Sequence, residues 1–238
     1  SSIFKFKQFT IRQENTAMKV GTDGVLLGAW ANPKEAFSIL DIGTGTGLIA
    51  LQIAQRSFAD VIDALEIDDS AYVQAVENFE QSDWGDRLFC YHASFQEFVA
   101  EMEDEKYDFI ISNPPFYTST VKEDTVESAR LNARHVESLT YAELLEGTSK
   151  LLSEKGECAF VIPFQEEEAF LKIASKNKLF PNRITRVRGT EKTEIKRSLL
   201  QLSFKEVTPE ITDLTIEIDR HVYTPEYINL VKDFYLKM

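Results

Sequence analysis

The sequence is poor in histidine and cysteine, has no long apolar run, and carries fewer cations than anions. Its three histidines, His92, His135 and His221, are scattered, which gives a histidine-based metal centre little to build on. Its two cysteines, Cys90 and Cys158, sit inside the apolar runs LFCYH and ECAFVI. They read as small core residues of a reducing compartment, so neither a disulfide nor a zinc site is expected. No segment approaches the ~20 apolar residues that span a bilayer, and no charged-then-apolar leader opens the sequence. A monomer of the cytoplasm, with no membrane partner and no metal, is the expectation. The 26 Lys and Arg stand against 39 Asp and Glu, a net charge of −13. Such a surface repels nucleic acid, because phosphate binding rests on Lys and Arg. The deficit is uneven, however. Residues 1–20 carry a net +3 and residues 183–197 a net +4, so the remainder holds −20. Two basic segments on an acidic body form either one local docking stripe or ordinary solvated faces.

What is present suits a single large α/β domain over residues 1–238, with residues 1–37 as an N-terminal extension packing over the ligand cleft. From residue 38, β-like runs alternate with helix-like patterns. Strands are expected at Ser38–Ile42, Val61–Ile67, Leu88–His92, Tyr107–Ser112 and Glu157–Ile162. Helices are expected near Leu48–Arg56, from an N-cap at Ser70, from the capping box of Thr140 and Glu143, and around Glu166–Lys176. This alternation predicts a mostly parallel sheet covered on both faces. Two final strands, Arg183–Arg188 and Ser198–Phe204, have no helix between them and are expected as an antiparallel hairpin at the sheet edge. Leu214–Ile218 is a candidate extra strand, and Thr224-Pro225 opens a terminal helix through Tyr227, Val231 and Phe234.

Between the first strand and the first helix stands Asp41-Ile42-Gly43-Thr44-Gly45-Thr46-Gly47. Glycines there permit a tight turn and close approach of a ligand to the backbone. Glu66 follows Gly47 by 19 residues, at the end of the second strand, where doubly wound folds place a carboxylate for two ribose hydroxyls. No lysine follows the glycines as a mononucleotide P-loop requires, and the G-x-G-x-G spacing departs from the dinucleotide G-x-G-x-x-G. With the downstream Glu, D-I-G-x-G-x-G resembles the S-adenosylmethionine loop of Rossmann-like methyltransferases. That likeness puts Asp41 close to the methionine ammonium. Many such enzymes place an Asp for the adenine amino group after the third strand, but His92-Ala93-Ser94-Phe95 offers only the Ser94 hydroxyl. Adenine binding is then expected to rely on backbone amides and on packing against Phe95.

Asn113-Pro114-Pro115-Phe116 follows the fourth strand directly. Two prolines cannot continue a ladder, so the chain leaves the sheet at its carboxyl edge, the edge that also carries the glycine turn and Glu66. An exocyclic amine conjugated to a ring is a poor nucleophile. The Asn113 side-chain oxygen and the Pro114 carbonyl can each accept one of its N–H groups and aim the nitrogen at a methyl donor, while Phe116 stacks on the flat substrate. The tetrad alone leaves adenine N6, guanine N2 and a protein glutamine amide open as targets.

Ahead of the first strand, Lys19–Trp30 reads as a turn at Thr22-Asp23-Gly24 followed by a short apolar helix. Together with Phe4–Phe9, the glycine turn, the tetrad, Ala133-Arg134-His135 and Tyr223–Tyr227, it resembles the bacterial tRNA adenine-N6 methyltransferase family, which modifies the adenine next to the anticodon of a valine tRNA. The resemblance implies a seven-stranded Rossmann-like class I fold, S-adenosylmethionine as donor and tRNA as acceptor. Asn113, Pro114, Pro115 and Phe116 would hold the target base. Asp41, Gly43, Gly45, Gly47, Glu66, Ser94, Phe95 and Asn113 would line the cofactor site, with Thr22 closing over its methionine end. Lys5, Lys7, Arg134, His135, Arg186, Arg188, Lys192, Lys196 and Arg197 are the RNA-binding candidates. The polar stretch between Tyr117 and Ser138 is expected to act as a substrate lid around a flipped-out base. Ribosomal-RNA guanine-N2 and protein-glutamine methylation remain alternatives, as does a non-catalytic RNA-binding relic.

Overall fold

The computed structural model describes residues 2–14, 16, 19–102, 104–114 and 139–238. Alternating burial along short apolar runs builds a central sheet from β3 (Ser38–Ile42), β4 (Val61–Glu66), β5 (Leu88–His92), β6 (Tyr107–Ser112), β7 (Leu152–Pro163), β8 (Phe180–Arg188), β9 (Ile195–Ser203) and β10 (Glu210–Thr215). Their spatial order is β10-β8-β9-β7-β6-β3-β4-β5. Only β9 runs against the rest: it pairs antiparallel with both β7 and β8, while β10 pairs parallel with β8. The order reverses between β3 and β6, and at such switch points open α/β sheets bind ligands outside the carboxyl ends of their strands.

Strand periodicity divides the buried residues between two cores. Ile39, Phe109, Ile111 and Val161 face one core, which is covered by α1 (Thr22–Trp30), α2 (Leu48–Arg56), α3 (Asp69–Gln81) and α7 (Pro225–Val231). Leu40, Ile110, Phe160 and Ile162 face the other, under α4 (Phe95–Glu101), α5 (Tyr141–Leu151) and α6 (Glu167–Lys176). No helix among the described residues is long and apolar enough to cross a membrane.

Several expectations are corrected. The sheet has eight strands among the described residues, because Glu210–Thr215 adds itself outside β8. Acidic β10 meets arginine-rich β8 in register, with Glu210 opposite Arg183 and Asp213 opposite Arg186. The β8–β9 hairpin therefore lies one strand inside the edge. The helix expected from Ser70 is capped two residues earlier, where the Asp68 carboxylate accepts the Ala71 amide at 2.9 Å. Strand β7 starts at Leu152 instead of Glu157, and the terminal helix stops at Val231, before Phe234. The cap of α5 forms at the expected Thr140, whose hydroxyl accepts the Glu143 amide at 3.1 Å and lies 2.9 Å from the Glu143 carboxylate.

The N-terminal segment folds as a hairpin of β1 (Ile3–Lys5) and β2 (Thr10–Arg12). Its Phe6 stacks on Phe9 and on Tyr235, with ring centroids 4.8 and 5.8 Å apart, and the Lys7 amide donates to the Phe234 carbonyl at 2.9 Å. The hairpin is tied to α3 by Asn78, whose side chain accepts the Arg12 amide at 2.8 Å and donates to the Arg12 carbonyl at 3.1 Å.

Candidate active site

The glycine turn leaves β3 with φ of +68° at Gly43, +61° at Gly45 and +96° at Gly47, a region that residues with a Cβ rarely enter. The Thr44 amide donates to the Leu65 carbonyl at 2.8 Å, tying the turn to the end of β4. Asn78 donates its second N–H to the Thr46 carbonyl at 2.7 Å, so one side chain braces both the turn and the N-terminal hairpin. A Cβ on Gly43 or Gly45 would meet open space, whereas on Gly47 it would stand 2.5 Å from the buried Phe79 ring. Gly47→Ala is accordingly expected to cost about 2–4 kcal/mol from strained backbone and overpacking. Thermal denaturation should show a melting temperature lower by about 5–15 °C; an unchanged value would mean that Phe79 yields freely.

Two carboxylates face this turn. Glu66 accepts the Gly45 amide on Oε1 at 2.8 Å and the Ile67 and Asp68 amides on Oε2, each at 2.9 Å. Burial still pushes its pKa above the ordinary value, against the pull of those amides. One lone pair of Oε1 remains for a further donor. Asp41 is 1% exposed, and its Oδ2 accepts the Thr44 hydroxyl at 2.7 Å. Its Oδ1 is buried with no hydrogen-bond partner of good geometry among the described residues. Burial, the largest cause, and the nearby Glu66 raise the Asp41 pKa to about 7, while the Thr44 hydroxyl and the Ala50 amide of α2 pull it down. Burial, followed by the charge of the same two carboxylates, pushes the Cys90 thiol up to about 12, which leaves it un-ionised at neutral pH.

Asn113 and Pro114 are half-buried where β6 ends, beside this turn across the switch point. The N-terminus of α1 closes on them: a Cβ on Gly24 would stand 3.8 Å from Asn113 Nδ2 and 3.1 Å from Leu48. Thr22 opens that helix and is exposed, while Asp23 accepts from Arg197 Nε at 2.8 Å. Arg197 lies at the start of β9, so this ion pair fixes the α1 end to the carboxyl edge of the sheet. Pro115 and Phe116 lie outside the described residues, as do Arg134, His135 and the expected lid.

Other candidate residues have structural employment. Ser94 caps α4, accepting the Glu97 amide at 3.1 Å. The Phe95 ring, expected against adenine, is instead 5% exposed in the core under α4, 2.3 Å from where a Gly147 Cβ would stand. Arg186 is committed to Glu167 by two hydrogen bonds of 2.8 and 3.2 Å. Lys5 and Lys7 are exposed on the N-terminal hairpin, with the Lys7 ammonium donating to the Lys232 carbonyl. Arg188, Lys192 and Lys196 lie at or beside the β8–β9 turn, at the other end of the sheet's order from α3. Sequence reasoning missed Asn78; its signal was a polar residue on the buried, helical-period face of α3.

A switch-point sheet with this glycine turn, this carboxylate and an Asn-Pro exit defines a Rossmann-like methyltransferase. The family described as "Methyltransferase small domain" matches residues 19–175. The tRNA1(Val) (adenine(37)-N6)-methyltransferase of Christiangramia forsetii is 60% identical over 99% of this chain and 98% of its own. Its counterpart in Flavobacterium johnsoniae is 59% identical over 99% of this chain and 100% of its own. A crystal structure of a predicted O-methyltransferase from Agrobacterium tumefaciens shares the fold with a TM-score of 0.67 at 18% identity, covering 89% of this chain and 96% of that one. The chain belongs to the tRNA1(Val) (adenine(37)-N6)-methyltransferase family.

Proposed function

We propose that this protein transfers a methyl group from S-adenosylmethionine to N6 of an adenine in tRNA, the adenine at position 37 beside the anticodon of a valine tRNA. The observation that carries the reading is the convergence of the glycine turn, Glu66 and the Asn113-Pro114 exit at one switch point, in a chain whose relatives carry that name along their whole length. The residues present fit the cofactor. The unpartnered Asp41 Oδ1 suits an ammonium, Gly43 and Gly45 leave room at the backbone, and Glu66 has capacity for a ribose hydroxyl. When bound, S-adenosylmethionine supplies a methyl group on a sulfonium, an electrophile that needs no further activation.

The protein's task is then positioning. The Asn113 side-chain oxygen and the Pro114 carbonyl accept the two N–H groups of the adenine amine, which turns the nitrogen toward the methyl group. Because the amine loses its proton after it gains the methyl group, no strong base is required beside it. A target base paired or stacked in RNA hides this amine, so it must swing out to reach Asn113.

The direct test incubates the protein with labelled S-adenosylmethionine and tRNA lacking modifications, digests the RNA and identifies the labelled nucleoside. N6-methyladenosine is the expected product. Label confined to ribosomal RNA or to protein would keep the methyltransferase and overturn the substrate.

A further inference from the structure

A cavity of 580 Å³ opens at the carboxyl edge of the sheet, between the turn that follows β7 and the β8–β9 turn. It is separate from the glycine turn and from Asn113, and its walls include Phe164, Arg188, Glu191, Lys192, Glu194 and Ile195.

Its aromatic wall is preorganised. The Arg186 guanidinium lies over the Phe164 ring, 5.6 Å from the centroid. Glu167 holds Arg186 through two hydrogen bonds of 2.8 and 3.2 Å, and the buried Ser198 hydroxyl donates to Glu167 at 2.7 Å. Phe164 remains half-buried, with Arg188 half-buried and Lys192 exposed on the same cavity. Two cations and two carboxylates share the lining, so its charge nearly cancels. A lining of this kind suits a flat, neutral ring with one phosphate at the cationic side, and does not suit a run of phosphates.

The position decides which ring. Asn113 leaves β6, β7 is its neighbour, and β9 and β8 come next. At about 4.8 Å between strands, the cavity lies roughly 5–15 Å along the edge from the amine-binding residues. Swinging a target base out of its stack also strips one face of the adjoining base. A single-stranded loop recovers that loss when the exposed face stacks on an aromatic side chain. We propose that this cavity holds a nucleotide adjoining the target adenine, its base on Phe164 and its phosphate toward Arg188 and Lys192. The proposal rests on the tRNA reading above.

The test measures steady-state methylation of unmodified tRNA by the full-length protein and by Phe164→Ala, Phe164→Leu and Phe164→Trp, with cofactor affinity read by calorimetry. Phe164→Ala should raise KM for tRNA about tenfold or more, the loss expected for one base–aromatic stack. Its cofactor affinity should not change, and its salt dependence should keep the wild-type slope because no charge is removed. Phe164→Trp should restore KM and Phe164→Leu should not, since only the former keeps a π-face. A KM unchanged in Phe164→Ala, or restored by Leu, overturns the subsite and leaves the tRNA reading standing. If the wild-type protein transfers no label to tRNA, the substrate reading falls and this proposal with it.

Discussion

Replacing Asn113 by alanine is expected to lower kcat for tRNA methylation by a factor of about 10²–10³, the cost of losing one preorganised hydrogen-bonding group at a reacting centre. The residue is half-buried at the exit of β6, where the chain leaves the sheet and α1 closes over it at Gly24. Truncation there removes one acceptor for the amine and leaves both cores untouched. The melting temperature should therefore stay within a few degrees of wild type, since substitutions away from the core usually change stability by about 0.5 kcal/mol or less. Asn113→Asp retains an acceptor oxygen and should recover part of the rate. A kcat unchanged in Asn113→Ala would remove this residue from the chemistry.

Asp41→Asn is expected to have opposite effects on binding and on stability. In the cofactor-free protein the Asp41 pKa is raised from 3.8 to about 7, chiefly by burial. A carboxyl group with a raised folded pKa contributes stability at low pH, and that contribution is lost as pH rises from about 4 through 7. Ionised Asp41 thus costs the empty protein up to about 4 kcal/mol above pH 7. Asparagine carries no charge to desolvate and can still accept from Thr44. Cofactor-free Asp41→Asn should then melt higher than wild type at pH 8, with the gap closing toward pH 4. Its affinity for S-adenosylmethionine should fall about a hundredfold, the scale for a buried charge pair that loses one member. Wild-type affinity should be greatest at about pH 7–8. It should weaken toward tenfold per unit below about pH 7, because binding an ammonium must first drive off the Asp41 proton, and fall again at higher pH as the ammonium itself deprotonates. Calorimetry across pH 5–9 measures this; an affinity indifferent to pH would place the ammonium elsewhere. Glu66 and the Ala50 amide are the other groups that act on Asp41, and Cys90 stays neutral throughout this range.

The parts of the site that the sequence disclosed are those where backbone geometry dictates residue type. Gly43, Gly45 and Gly47 all have positive φ, and Glu66 stands at the end of a strand whose apolar run is plain. Asn113-Pro114 announced the end of β6 because proline cannot extend a ladder. What stayed hidden depends on contacts between distant residues. The basic cluster of residues 183–197 reads as one patch along the chain, but strand alternation splits it. Arg183 stacks on Trp30 of α1 at 4.1 Å on one face, and Arg186 turns to Glu167 of α6 on the other. Phe95 looked available because it follows a strand, yet Ser94 caps a helix there and turns the ring inward. Its signal was present as Ser94 and Glu97 at capping-box spacing. The candidate extra strand at Leu214–Ile218 forms earlier, as β10 over Glu210–Thr215, and its first residues carried little apolar signal because only Leu214 of its six residues is buried.

The brace formed by Asn78 also orders events during synthesis. The hairpin that Asn78 grips closes its other side on Phe234 and Tyr235, more than 220 residues later in the chain. Contacts so distant in sequence form late, because the intervening loop must be closed first. As the protein emerges from the ribosome, β3 through β6 can assemble, but the hairpin has only its α3 side to rest on until Phe234 and Tyr235 have been made. The Thr46 carbonyl has its Asn78 partner before then, while the Arg12 strand that holds Asn78 in place is still held on one side only. The nascent chain therefore has a complete glycine turn well before that turn is fully braced, and cofactor affinity should rise further when Phe234 and Tyr235 have left the exit tunnel.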